Sequence, residues 1–201
     1  MSDYKDFIGD FKESPVEIFE KWFQDAQDKE ENAPAFILST VDEHGAPNAR
    51  TLLLKEVHKG KPLFFTNYNS VKAKEIDGNN NVAMTFYWHR LGKQVRIRGK
   101  ISKCERDISR NYFQSRAKES QIASLTSKQS ESVSSRKNLE TEYHENLIRY
   151  NNESVPYPEN WGGYYVEVNE ITFFIYGEHR LNDRFQFVKK GNKWDSLRLY
   201  P

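Results

Sequence analysis

Short runs of β-branched and aromatic residues, separated by turn residues, fill the chain between Ala35 and Lys103. The runs AFILSTV, ARTLLLKEV, LFFTN, NVAMTFYWH and KQVRIRGKI are joined mainly by segments rich in Gly, Pro and Asp, such as DEHGAP and HKGKP. Runs of this length and composition favour β-strands, and the turn signals favour pairing with the next run. The sequence therefore predicts an antiparallel meander of four or five strands.

Helical segments flank this strand signal. SPVE (14–17) is a capping box with proline in the first turn, and apolar residues follow at helical spacing up to Ala26. SVKAKEI predicts a short helix, and residues 105–150 predict a helical insertion. WGGYYVEV, ITFFIYG and RFQFVKK then predict three strands. We expect one α+β domain over 1–201, mainly β, whose antiparallel barrel gains its last strands across the insertion, with a flexible segment at 1–13.

The composition limits the possible partners. Lys and Arg number 30 against 29 for Asp and Glu, a net charge of +1, so no long-range field favours nucleic acid or an anionic membrane. No apolar run is long enough to span a bilayer or to form a signal peptide, and a cytoplasmic protein is expected. The five histidines are scattered and the cysteine is single, so no metal site is expected. Neither a dinucleotide, a Walker nor a G-x-S-x-G motif occurs.

Basic and hydroxyl side chains stand at predicted strand ends and helix starts. Arg50 and Lys55 bracket TLLL, Lys72 follows a turn into the short helix, and Tyr112 and Arg116 are four residues apart. Such groups can bind phosphate, because Arg offers a planar fork and Lys a point charge. On a regular strand Arg50 and Lys55 would point to opposite faces, so a shared ligand needs a bulge or an intersubunit site. A phosphorylated ligand and an ordinary solvated surface both remain open.

A highly charged segment, EHRLNDRF (178–185), joins the last two predicted strands. Five of its eight residues can carry charge, although a hairpin usually needs only Gly and Asn at its turn. The residues alone are compatible with a solvated loop or with a functional turn.

Several motifs occur in the order typical of one family. They are RTLLLK (50–55), FFTN (64–67), NSVKA (69–73), KQVRIRG (93–99), YFQSR with ESQIAS (112–124), SKQS (127–130), WGGY (161–164), GEHRLNDRF (177–185) and the terminal LRLYP. In these motifs the chain resembles the pyridoxine/pyridoxamine 5′-phosphate oxidase family. The resemblance implies an antiparallel FMN-binding split β-barrel with peripheral helices, in a homodimer with two flavins at the interface. It also implies oxidation of pyridoxamine or pyridoxine 5′-phosphate to pyridoxal 5′-phosphate by O2, with release of H2O2.

The resemblance also implies roles for individual residues. The FMN contacts would be Arg50, Thr51, Leu52, Leu53, Leu54, Lys55, Phe65, Thr66, Lys72, Gln94, Gln129, Ser130, Phe174 and Arg184. The phosphate of the vitamin would be bound by Lys55, Tyr112, Arg116 and Ser120. Arg180, over the substrate ring, and Asn182 would complete the substrate site and are the catalytic candidates.

Four positions depart from the family pattern. Val71 stands where an arginine is usual, Phe174 where a tryptophan is usual, Tyr176 where a glycine is usual, and Asn182 where a histidine is usual. These changes keep two alternatives open. One is a related flavin oxidase acting on another reduced ring, of the phenazine-pathway type. The other is a non-catalytic protein that binds FMN or pyridoxal phosphate.

Overall fold

Nine strands and five α-helices occur in residues 14–201, the part of the chain that the computed structural model describes. The flexible segment predicted for residues 1–13 lies outside this part. The helices are α1 (Pro15–Lys29), α2 (Val71–Gly78), α3 (Arg106–Ser115), α4 (Lys118–Thr126) and α5 (Arg136–Arg149). The strands are β1 (Ala35–Val41), β2 (Pro47–Leu53), β3 (Glu56–His58), β4 (Lys61–Asn67), β5 (Asn81–Trp88), β6 (Lys93–Lys103), β7 (Trp161–Ile175), β8 (Asp183–Lys190) and β9 (Lys193–Leu199). None of these helices is long and apolar enough to cross a bilayer.

The predicted helices are present. Ser14 accepts a hydrogen bond from the N–H of Val16, and Glu17 accepts one from the N–H of Ser14, which confirms the capping box of α1. SVKAKEI lies in α2, and the predicted insertion contains α3, α4 and α5.

All nine strands belong to one antiparallel sheet, in which the main path runs β2-β1-β5-β6-β7-β4-β3. β7 is central: β6 pairs along one edge, while β4 and β8 share the other edge. The N–H of Leu54 donates to the carbonyl of Pro34, and the N–H of Lys55 donates to that of Leu63. These bonds bring the end of β2 to β4, so the sheet curls around its core as the predicted barrel requires.

At the C-terminal end one strand prediction was wrong and one strand was missed. WGGYYVEV and ITFFIYG are not separate strands, because β7 runs through both and carries one extra residue, Asn169, as a bulge opposite Arg98 and Gly99 of β6. β9 was not predicted, since KWDSLRL is mostly polar and its side chains are largely exposed.

The predicted strand ARTLLLKEV divides into two. β2 pairs with β1 and β3 pairs with β4, so the chain changes partner at Leu54 and Lys55. Arg50 and Lys55 therefore do not belong to one regular strand. The expectation that they point to opposite faces does not apply, because the alternation is interrupted between them.

Alternation along β6 separates an inner from an outer face. Val95 and Ile97 are fully buried, whereas Gln94 and Arg96 are half-buried on the other face, as predicted. α1 covers the inside of the sheet with its apolar side. The main core there is aromatic-rich and includes Phe19, Trp22, Phe36, Phe64, Phe86, Trp88, Phe173 and Phe185.

The outer face of the sheet presents a continuous row of side chains across seven strands. The register aligns Thr51, Ile37, Thr85, Arg96, Thr172, Gln186 and Leu197. Apolar side chains on this face are exposed; Leu53 is 61% exposed and Leu197 is 55% exposed. Exposed apolar side chains along one face of a sheet favour an interaction surface.

Candidate functional site

A cavity of about 430 Å³ lies where the end of β2 meets β4, α3 and the start of β7. It brings together Lys55, Tyr112 and Arg116, three of the four residues predicted to bind the phosphate of the vitamin. Ser120, the fourth, is half-buried in the first turn of α4 and does not line this cavity. Two cations and a phenol in one cavity can bind a phosphate. The other lining residues are Pro34, Thr51, Leu52, Leu53, Leu54, Phe65 and Trp161.

Aromatic rings hold the two cations of this cavity. The Nζ atom of Lys55 lies 4.8 Å from the ring centroid of Tyr112, which lies 4.1 Å from that of Phe65. Trp161 stacks on Phe65 at 5.3 Å and lies 6.1 Å from Tyr112, and the guanidinium of Arg116 lies 5.0 Å from the Trp161 ring. These cation–π contacts fix both cations and leave N–H donors for a ligand.

A second cavity of about 220 Å³ adjoins the first, because Leu52, Phe65 and Trp161 line both. Ser124 lines it too and accepts a hydrogen bond from Nη1 of Arg116 at 2.8 Å. Burial lowers the pKa of Arg116, but its guanidinium remains charged at neutral pH.

Lys72 is a buried cation beside the second cavity, with 7% of its surface exposed. Its Nζ atom lies 2.9 Å from Oε1 of Gln129, 3.1 Å from Oγ of Ser70 and 3.4 Å from Oγ1 of Thr66. Burial, with a smaller effect of Arg50, lowers the pKa of Lys72 to about 8. Thr66 and Gln129 line the cavity. The structure thus brings together Thr66, Lys72 and Gln129, three predicted flavin contacts.

Arg50 forms a partly buried ion pair with Glu75. Its Nη2 atom lies 2.9 Å from Oε2 of Glu75, and its Nη1 atom donates to Thr40 at 2.5 Å. Burial raises the pKa of Glu75, but hydrogen bonds from Thr40 and Asn48, together with the Arg50 charge, outweigh it and leave the pKa below its ordinary value. The charge of Arg50 is balanced within the chain, whereas the oxygens in hydrogen-bond contact with Lys72 are neutral.

Val71, at the start of α2, adds no charge to this cluster. It is 45% exposed, and its N–H donates to Oγ of Ser130 at 3.3 Å. Ser130 has a φ of +76°, in the left-handed region. The predicted contact Ser130 is thereby placed at the N-terminus of α2, near Lys72.

Three further predicted flavin contacts lie side by side on the outer face. Gln94 of β6 pairs with Phe174 of β7, which pairs with Arg184 of β8. Tyr176 extends the aromatic surface: its ring lies 5.4 Å from Phe174 and 6.2 Å from Tyr87. A hydrogen bond with Tyr176 raises the pKa of Tyr87. The row offers an amide, a flat aromatic surface and a cation, which suit a polar heteroaromatic ring.

Arg180 and Asn182 lie between β7 and β8, next to this row. Arg180 is exposed, and Asn182 accepts a hydrogen bond from the N–H of Gly177 at 3.0 Å. Among residues 14–201, no ion pair or hydrogen bond holds the Arg180 guanidinium. Asp183 at the start of β8 pairs with Arg198 of β9.

The candidate residues form two groups within one chain. The two cavities lie at the Trp161 end of β7, and the Gln94 row lies at the Phe174 end, roughly 40 Å further along the strand. No described cavity contains residues of both groups. Trp161 and Ser124 line the cavities but were not predicted as site residues. Trp161 lies in the motif WGGY and Ser124 in the motif ESQIAS, and these two motifs could have identified them.

Two family models together match most of the chain. Residues 23–146 match the model described as pyridoxamine 5′-phosphate oxidase, and residues 161–201 match the pyridoxine 5′-phosphate oxidase C-terminal dimerisation region. The pyridoxine/pyridoxamine 5′-phosphate oxidase of Leptospira biflexa serovar Patoc is 42% identical over 188 residues, which cover 93% of this chain and 89% of the relative. That of Shewanella sediminis is 41% identical over 194 residues, which cover 96% and 91%.

Solved structures share the architecture. PhzG from Burkholderia lata 383, in complex with tetrahydrophenazine-1-carboxylic acid, gives a TM-score of 0.90 at 23% identity, over 96% of this chain and 95% of its own. A pyridoxamine 5′-phosphate oxidase-related, FMN binding protein from Nostoc punctiforme PCC 73102 gives 0.75 at 14% identity, over 94% and 99%. At these identities the likeness concerns the fold, and it confirms the split-barrel prediction. By its family models and its curated relatives, the chain belongs to the pyridoxamine 5′-phosphate oxidase family of flavin-dependent oxidoreductases.

Proposed function

We propose that this protein oxidises pyridoxamine 5′-phosphate and pyridoxine 5′-phosphate to pyridoxal 5′-phosphate, with FMN as cofactor and O2 as acceptor, releasing H2O2. With the amine substrate, water hydrolyses the resulting imine and ammonia is released as well. The observation that carries the proposal is a pair of cationic sites in adjoining cavities. Lys55 and Arg116 serve one cavity, and Lys72 lies beside the other. Two neighbouring phosphate sites suit a phosphorylated substrate beside a phosphorylated cofactor.

The residues of the second cavity fit the phosphate of FMN. Lys72 is buried among oxygens of Ser70, Thr66 and Gln129 without a carboxylate in hydrogen-bond contact. A buried cation without a carboxylate partner is costly, and an anionic ligand would relieve that cost. Hydroxyl groups and the N-terminus of α2, held near Ser130, supply further donors.

The residues of the first cavity would orient the substrate. Lys55 and Arg116 bind its phosphate, and the stack of Tyr112, Phe65 and Trp161 keeps both cations in place. Fixing the phosphate positions the carbon that is oxidised, so binding energy remote from that carbon serves the reaction. FMN, when bound, supplies the acceptor for a hydride from that carbon and passes the electrons to O2.

A homodimer would join the two groups of residues. The outer face carries Gln94, Phe174 and Arg184 together with exposed Leu53 and Leu197. β7, β8 and β9 lie in the segment that matches the dimerisation region. If two outer faces pack together, the side chains of Gln94, Phe174 and Arg184 of one protomer can lie against the two cavities of its partner. This arrangement explains why one chain divides the predicted contacts between the two ends of β7.

The test is reduction of the flavin by the substrate. Protein loaded with FMN should lose its yellow absorbance when pyridoxamine 5′-phosphate is added without O2. With O2 it should release equal amounts of pyridoxal 5′-phosphate and H2O2. FMN-loaded protein that is inert towards both phosphorylated vitamers would refute the activity. Retained pyridoxal phosphate binding would then favour the non-catalytic alternative.

Tetrahydrophenazine-1-carboxylic acid is the probe for the phenazine-type alternative. It carries a single carboxylate in place of a phosphate dianion, so the two cations of the first cavity suit it less well. We expect it to reduce the flavin poorly. Faster reduction by this probe than by pyridoxamine 5′-phosphate would favour the alternative.

A further inference from the structure

The segment Gly177–Asn182 joins β7 to β8 in a tightly built turn, here called the Arg180 loop. His179 and Arg180 have φ angles of +56° and +63°, in the left-handed region that residues with a Cβ atom rarely adopt. The N–H of Leu181 donates to the carbonyl of Glu178. Two consecutive residues in this region need support from their surroundings to stay there.

Asn182 supplies that support by closing the loop. Its Oδ1 atom accepts a hydrogen bond from the N–H of Gly177 at 3.0 Å. A backbone N–H only donates, so the atom that faces it must be the carboxamide oxygen. The closure needs glycine at 177, because a Cβ atom there would lie 2.2 Å from the carbonyl oxygen of Leu181.

The residue before the loop is anchored to the sheet. The N–H of the preceding residue, Tyr176, donates to the carbonyl of Gly92 at 2.9 Å. At the other end, Asp183 starts β8 and pairs with Arg198. With both ends held and Asn182 bonded across them, the backbone of Arg180 has a defined position. Its guanidinium, which has no partner among the described residues, is free to bind a ligand.

We infer that Asn182 is a positioning residue that acts through Arg180, by holding the loop closed, and does not itself bind the substrate. The inference rests on the proposed function, in which Arg180 faces the substrate. The side chain of Asn182 is committed to Gly177 through its only good acceptor atom. Its effect on the reaction is then the orientation of Arg180, and donation by Nδ2 to the substrate is the alternative that the variants below test.

Two substitutions at one position separate positioning from direct contact. Asn182→Asp keeps an oxygen that accepts from Gly177, whereas Asn182→Ala removes it. We expect Asn182→Ala to lower kcat/KM for pyridoxamine 5′-phosphate on the order of ten- to a hundred-fold, with the flavin spectrum unchanged. Asn182→Asp should recover most of that loss. If Asn182 donated to the substrate through Nδ2, both variants would be equally impaired, and that result would overturn the inference.

A double-mutant cycle tests the route through Arg180. In an Arg180→Ala background, Asn182→Ala should have little further effect, because the residue that it positions is gone. Independent, additive losses would show that Asn182 acts by itself. Gly177→Ala should reproduce the loss of Asn182→Ala, since it forces the loop open.

Amide exchange gives a readout that does not depend on activity. The N–H of Gly177 should exchange faster in Asn182→Ala than in the unmodified protein and Asn182→Asp. Unaltered exchange in Asn182→Ala would refute the closure even if the oxidase activity proved absent. An inactive unmodified protein with the expected exchange pattern would refute the proposed function but not the closure.

Discussion

The Nζ atom of Lys72 lies 2.9 Å from Oε1 of Gln129, although the two residues are 57 positions apart in the sequence. The contact joins α2 to the loop that follows α4. It places a cation with a pKa of about 8 beside a cavity. This pKa gives a test of the proposed FMN phosphate site.

We expect FMN affinity to fall about ten-fold between pH 7 and pH 9. Burial lowers the pKa of Lys72 to about 8, so the free protein loses this proton as the pH rises through 8. A bound phosphate favours the charged form, so binding above pH 8 must take up a proton. The phosphate is already dianionic at pH 7, since its second pKa is about 6. Quenching of flavin fluorescence measures the affinity.

Lys72→Arg and riboflavin are the controls for this pH dependence. An arginine keeps its charge throughout the range, so Lys72→Arg should flatten the profile. Riboflavin has no phosphate and should bind with little change between pH 7 and pH 9. An FMN profile that is unaltered in Lys72→Arg would place the titrating group elsewhere.

Arg116 should recognise the phosphate of the substrate. We expect Arg116→Met to raise KM for pyridoxamine 5′-phosphate about ten- to a hundred-fold, the effect of losing one charge-assisted hydrogen bond. KM for pyridoxamine, which lacks the phosphate, should change little. Steady-state oxidation of the two compounds measures both constants.

Arg106→Met is the matched control, because Arg106 begins α3 and Arg116 is the C-cap residue of the same helix. Arg106 pairs with Glu159, a residue whose side chain is 91% exposed, and it does not line the cavity. Its loss should leave KM for both compounds unchanged. Equal effects of Arg116→Met on both compounds would mean that Arg116 does not recognise the phosphate.

Sequence reasoning anticipated the features that depend on local periodicity. The alternation of β6, the capping box of α1 and the helical insertion follow from patterns within a few residues. It failed where long-range pairing decides the outcome. β7 stays one strand because a bulge at its Asn169 keeps both halves paired with β6, and β9 is defined by pairing with β8 despite a polar sequence.

The same distinction holds for the candidate site. The resemblance supplied the residue types, but not the ion pair of Arg50 with Glu75 or the bond of Asn182 to Gly177. Glu75 and Gly177, the two partners, were not among the residues to which the resemblance assigned a role. Only the folded chain brings a residue of α2 to Arg50, which lies on β2.

The outer face should be the dimer interface. We expect Leu197→Glu to weaken dimerisation at least about a hundred-fold, because it would bury an unpaired carboxylate on both sides. The variant should also lose FMN, since the two groups of residues could no longer meet. Light scattering coupled to size-exclusion chromatography measures the mass at a series of concentrations.

Ile148→Glu is the control for surface charge. Ile148 is 79% exposed on α5, which packs against α4 and is not part of the sheet. This variant should remain dimeric and keep its flavin. Dimers that persist in Leu197→Glu, or a monomeric unmodified protein at micromolar concentration, would place the interface elsewhere or exclude it.

Restoring the missing cation should strengthen flavin binding. Val71 is exposed at the start of α2, next to Lys72, and its side chain is not part of any core cluster. We expect Val71→Arg to raise FMN affinity about ten-fold, the effect of one further charge-assisted hydrogen bond to the phosphate. Riboflavin affinity should stay the same, because it has no phosphate. A gain for both flavins would reflect a general electrostatic effect, and no gain for FMN would mean that the phosphate lies beyond reach of residue 71. Salt separates these cases further, since a direct contact in a partly buried site is screened less than a long-range field.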